Sequence, residues 1–144
     1  MWSDTLLAAE RSHLIRVVLW AAASATLGTL FVAILTLRRT NAPIVFWFGV
    51  QTLAWGSLEL LVSAARWQVL AMRDVSAATR LDRLTWLAIG LDVGLIGVGA
   101  SAAVLAWRHR RSLGAVGGGL GVLVQGLGLL VLDLTFASIL ARLI

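Results

Sequence analysis

The run from Leu84 to Trp107, LTWLAIGLDVGLIGVGASAAVLAW, constrains this chain more than any other feature. Apolar and small side chains fill it almost without a break, and one carboxylate, Asp92, lies inside. At about 1.5 Å of rise per residue it crosses the roughly 30 Å of a bilayer's hydrocarbon, so it reads as a transmembrane helix. An acid at such a depth is costly and requires something to face it.

Three further apolar runs accompany it, giving spans at about 17–37, 43–65, 84–107 and 120–141. Charged residues make up only 13% of the 144, where globular domains carry about a quarter, and mean hydropathy is +0.93. The expected fold is therefore all-α, a four-helix bundle integral to a membrane, forming one transmembrane domain over 1–144. Partners expected on this reading are the lipid bilayer and either other membrane subunits or further copies of the chain. A multi-pass protein of a bacterial inner membrane is the expected setting. All twelve basic residues are arginines. They gather at the ends of the apolar runs, as headgroups and topology demand, so nucleic acid is not expected as a partner.

Residues 1–16 mix Leu6, Leu7, Leu14 and Ile15 with Asp4, Glu10, Arg11 and His13. That mixture predicts an amphipathic segment lying on the membrane surface. Arg38 to Pro43 predicts a tight turn, with the proline opening the second helix. Residues 66–83 form the one sizeable polar connection, and Arg108-His109-Arg110-Arg111 is a second basic turn, followed by a glycine-rich entry to the fourth span. Trp20, Trp47, Trp67, Trp86 and Trp107 fall near the proposed span ends, as an aromatic belt requires. Arginines divide seven to five between the two faces, yet lie more densely in the short turns, so the two forms of the positive-inside rule point opposite ways.

Each half of the chain reads helix, double-arginine turn, helix. Its second helix carries a glutamine followed eight residues later by an acid: Gln51 and Glu59, Gln125 and Asp133. This suggests a parallel two-helix repeat. By helical rise, Glu59, Asp92 and Asp133 all lie roughly 9–15 Å below the surface that carries the termini. Together with Gln51 and Gln125 they predict a polar seam inside the bundle. Such a seam serves either as a proton or cation path or as interhelical hydrogen bonding that specifies packing. Gly90-x-x-x-Gly94 with Gly97, and Gly114, Gly118 and Gly121, predict close helix packing or docking of a partner.

Several chemistries find no support. With no cysteine there is no thiolate or disulfide. His13 and His109 belong to opposite surfaces, so no haem or metal site is expected, and no cofactor. No nucleophile–base pair occurs, so catalysis is not expected.

Gly90-Leu91-Asp92-Val93-Gly94 with Gly97 and Gly99, Trp55-Gly56-x-x-Glu59-Leu60, and Gln125-Gly126 followed at eight by Asp133 resemble an uncharacterised bacterial family of small four-helix membrane proteins. The likeness covers helices two to four. Trp20 and Ser24 stand where that family's Trp and Asn are expected in helix one. The chain departs from it at Glu59, where family members often carry Asn, and at Leu95, where they carry an aromatic. The resemblance implies the fold and the polar seam but brings no function. The expected role is a non-catalytic accessory or assembly subunit of a larger respiratory or photosynthetic membrane complex. The alternative is a small oligomeric channel, or a proton- or cation-coupled transporter, using the carboxylate seam.

Overall fold

The computed structural model describes residues 2–110, Arg110 by its backbone alone, and 112–143. The chain folds into four helices: α1 (Trp2–Leu37), α2 (Pro43–Gln68), α3 (Val75–Leu105) and α4 (Leu113–Leu143). A π-helical turn, Ala106–Arg110, extends α3. No strand occurs among the described residues, and all four helices are long and apolar enough to cross a membrane.

The connections follow from local chemistry. α1 stops because Arg39 enters the left-handed region at φ 49°. There the Thr40 N–H reaches Leu35 O and the Arg39 N–H reaches Thr36 O, which satisfies carbonyls of the last turn. Pro43 then opens α2 at a position where its missing N–H costs nothing. Asp74 caps α3 by accepting from the Ala77 N–H at 2.7 Å. That bond, with one from the Ser76 hydroxyl, holds its carboxyl below the usual carboxylate range. Arg111, in the second basic turn, lies outside the described residues.

Residues 2–16 do not form a separate surface segment. They are the opening turns of α1, and Leu6, Glu10, His13 and Leu14 are buried. Leu6 packs in one cluster with Ala78 and Leu81 of α3 and Phe136 and Leu140 of α4. Glu10 accepts two bonds from Arg73, at 2.6 and 2.8 Å, which hold the guanidinium's pKa still further above its ordinary value. Trp2 Nε1 donates to Leu143 O at 2.6 Å and ties the two ends together. The long polar connection shortens to 69–74, and the glycine-rich entry is helical from Leu113.

The helices form two hairpins, α1 against α2 and α3 against α4, joined along α2 and α4. Each hairpin closes on glycines. A Cβ at Gly99 would stand 2.6 Å from Leu123 N and 2.7 Å from Gly119 O; one at Gly28 would strike Leu53 N and Gly49 O. Likewise a Cβ at Gly56 would meet Ala25 N and Ala21 O, and one at Gly126 would meet Ile96 N and Asp92 O. Gly28 thus corresponds to Gly99, while Gly49, Leu53 and Gly56 correspond in step to Gly119, Leu123 and Gly126. The α2–α4 seam obeys the same relation: Ile44 meets Gly117 and Trp47 meets Gly114, one pair read from either repeat. The chain is a parallel repeat about an axis near Gln51 and Gly121.

This register differs from the one suggested by the glutamine–acid spacing, which would set Gln51 on Gln125 and Glu59 on Asp133. Backbone contact instead sets Trp55 on Gln125, Glu59 on Leu129 and Ser63 on Asp133. Helix approach is decided by where side chains are smallest, not by where polar residues recur.

Candidate functional site

The repeat is not obeyed everywhere. α1 packs on α4, but no Cα of α2 comes within 8 Å of one in α3 among the described residues. Between α2 and α3 lies a cavity of about 590 Å³, walled by Trp55, Glu59, Val62 and Arg66 of α2, by Ala88, Gly90, Leu91, Asp92, Gly94, Leu95 and Val98 of α3, and by Val17, Leu129 and Asp133 behind.

The sequence of the two seams explains the difference. In the α1–α4 seam Trp20 Nε1 donates to Gln125 Oε1 at 2.9 Å, and Gln125 Nε2 donates to Ser24 Oγ at 3.1 Å. The Trp20 ring lies directly over Gly128, which has no side chain to hold it off. Trp20 is therefore an internal fastening, not part of an interfacial belt; Trp47, Trp67, Trp86 and Trp107 are exposed. In the α2–α3 seam the equivalents of Trp20, Ser24, Gln125 and Gly128 are Leu91, Leu95, Trp55 and Leu58. None of Leu91, Leu95 and Leu58 can donate or accept a side-chain hydrogen bond, and Leu58 occupies the place that Gly128 leaves free.

The three acids expected to share a layer, Glu59, Asp92 and Asp133, all line this cavity. Asp92 is only 5% exposed, and no protein donor or acceptor reaches its Oδ2. Asp133 Oδ1 lies 3.3 Å from His13 Nε2, whose ring stacks on Phe136 with centroids 4.3 Å apart. Arg66 lines the cavity and also a second one of about 310 Å³. The two share Arg66, Ala88 and Asp133, and the second continues past Glu10 and Arg73 toward the 69–74 connection.

The expected seam is therefore split. Gln125 is buried in the α1–α4 fastening, and Gln51 meets Gly121 in the α2–α4 seam, so neither joins the acids. The polar composition of 1–16 puts His13 at the membrane surface; the continuity of α1 carries it inward to Asp133 instead. The signal for this is the spacing of Leu6, Glu10, His13, Leu14 and Val17, which lie on one helical face with Val17 inside the span.

Of the glycines singled out, Gly114 packs on Trp47 and Gly121 on Gln51, whereas a Cβ at Gly118 would meet nothing within 4 Å. Gly90, Gly94 and Gly97, expected to pack α3 on a neighbour, also meet nothing within 4 Å. α3 approaches α4 through Gly99 and Ala103, about half a turn round the helix from that ridge. The spacing of small residues marks a face that a helix can approach; it does not say which of two such faces the chain itself uses. Among the described residues no group of three or more His, Asp or Glu side chains is placed to hold a metal ion.

Residues 16–134 match the model of a family of unknown function, DUF6992, and the chain belongs to that family. No curated protein and no solved structure matches it.

Proposed function

With the family itself assigned no activity, we propose that the chain is a non-catalytic accessory or assembly subunit of a larger complex in a bacterial cytoplasmic membrane, of the respiratory or photosynthetic kind. One observation carries this reading. α3 has two small-residue ridges, and only the one at Gly99 and Ala103 is covered. The ridge at Gly90, Gly94 and Gly97 stands bare beside exposed Leu87, Val93 and Val98. Close backbone approach is the main route by which transmembrane helices recognise one another, so this ridge suits a transmembrane helix of another subunit.

The test is the mass and composition of the particle that carries the tagged 15.4 kDa chain after mild-detergent extraction from its native membrane. The expected particle contains other subunits, and Gly90→Leu with Gly94→Leu releases the chain from it. A Cβ at either position meets nothing within 4 Å, although both glycines border the α2–α3 cavity, so an unchanged unfolding midpoint of the purified double variant is the control that assigns its release to the partner. A particle made only of copies of this chain overturns the proposal.

A second reading is favoured by the placement of three carboxylates around one cavity: a small channel, or a proton- or cation-coupled transporter. Flux in proteoliposomes that Asp92→Asn abolishes would support it; a parent protein without flux would remove it.

A further inference from the structure

The cavity between α2 and α3 has features that a bare docking ridge does not need. It contains three carboxylates, Glu59, Asp92 and Asp133, against the single guanidinium of Arg66. Asp133 is engaged by His13 of α1, and Glu59 is half-buried on the α2 wall. Asp92 is the anomaly. Its Oδ2 is enclosed, yet no protein group bonds it. An enclosed carboxylate oxygen without a partner is among the more destabilising features a fold can carry, and a proton placed on it does not remove the problem, because it would then be a donor in need of an acceptor.

The remaining wall is apolar and aromatic. Trp55 faces the acids from α2, and Leu91, Leu95 and Val98 line α3. A volume of about 590 Å³ lies in the range of sites that enclose a small organic molecule and far exceeds what a bare metal ion or a proton requires. An indole beside carboxylates attracts organic cations through its ring face. The cavity is bounded by two helices that do not meet, so it opens sideways toward lipid. It also borders the second cavity, with which it shares Arg66, Ala88 and Asp133, on the side of the 69–74 connection.

We propose that the α2–α3 cavity is a binding site for an amphiphilic organic cation, whose charge sits between Asp92 and Glu59 and whose apolar body lies against Trp55, Leu91, Leu95 and Val98. Asp133, already paired with His13, completes the negative wall, and Arg66 closes the end nearest the 69–74 connection. The site is a property of the single chain. It borders the Gly90–Gly94 ridge, and the test on the purified single chain reads the site apart from any partner seated there.

The test uses the purified full chain in lipid nanodiscs with two probes of similar shape, the cation tetraphenylphosphonium and the neutral triphenylphosphine oxide. Binding is read by isothermal titration and by the tryptophan fluorescence change. The cation is expected to bind saturably, one per chain, at least tenfold tighter than the neutral probe. Asp92→Asn is expected to weaken it at least tenfold, and Glu59→Gln severalfold, with the neutral probe unaffected. Should Asp92→Asn fail to fold, Glu59→Gln decides, because its side chain is partly exposed and its loss leaves the packing intact. Equal binding of the two probes would overturn the site. So would cation binding that neither substitution alters.

Discussion

The α1–α4 and α2–α3 seams occupy equivalent places in a repeated architecture, and one is shut while the other is open. In the shut seam a tryptophan lies over a glycine and a glutamine bonds two partners across the gap. In the open seam leucines and a tryptophan replace them, and three carboxylates line the space left behind. Between helices surrounded by lipid, burial of apolar surface supplies little attraction, because lipid tails are as apolar as leucine. What draws two such helices together is close backbone approach plus a hydrogen bond or two. The difference teaches that a few residues per seam suffice to decide whether a repeat closes. The chain closes one seam within its own fold and leaves the other open.

The largest expected effect comes from spoiling the shut seam at its closest point. Gly128→Leu recreates the leucine of the open seam, and its side chain meets the Trp20 ring. Overpacking of this kind costs about 1–3 kcal/mol, read as a lowered unfolding midpoint in detergent together with a shifted tryptophan emission. A wild-type midpoint would break the comparison. Gln125→Leu comes next. It leaves the Trp20 N–H and the Ser24 hydroxyl without their partner in a buried seam, at about 1 kcal/mol on membrane scales. Because the backbones still meet, the helices stay in place and only the midpoint falls.

Much of the architecture is written in the hydropathy of the chain. Four apolar runs, a proline after a double arginine, and three acids at one depth together specify four helices and a common end for Glu59, Asp92 and Asp133. The α1–α4 fastening is less legible, because Trp20 sits in mid-helix where counting from a shortened span places it near an end. That shortening has one cause: a polar stretch at 1–16 reads as surface, whereas Leu6, Glu10, His13 and Leu14 form a buried stripe whose polar members are met by Arg73 and Asp133. The repeat is legible but in another register. Gly49 and Gly56 recur with the same spacing as Gly119 and Gly126, and these mark the backbone crossings that the matching glutamines do not. Whether Gly90 or Gly99 faces α4 is beyond reach, since both lie on ridges of small residues and only the partner helix chooses between them.

A converse experiment sharpens the comparison by closing the open seam. Leu58→Gly with Leu91→Trp places on α2 and α3 the pair that holds α1 on α4. The α2–α3 separation, measured between spin labels on the two helices, is expected to fall toward the roughly 8–10 Å of packed helices. The same double variant should lose the tetraphenylphosphonium site, because its cavity is filled. An unchanged separation would mean that the glutamine, and not the tryptophan–glycine fit, closes a seam.

The smallest effect separates the two ridges of α3. Gly94→Ala adds a methyl group where nothing lies within 4 Å, so its only consequence inside the fold is better helix propensity, a gain of up to about 1 kcal/mol. Gly99→Ala gains the same propensity and loses more, since its Cβ would stand 2.6 Å from Leu123 N and the α3–α4 hairpin must spread to admit it. The two alanines, close together on one helix, are therefore expected to shift the unfolding midpoint of the isolated chain in opposite directions. In the native membrane the order is expected to change. A partner seated on the Gly90–Gly94 ridge would make Gly94→Ala unfavourable as well, and a midpoint that rises for the purified chain yet falls for the native particle would place the partner's helix on that ridge.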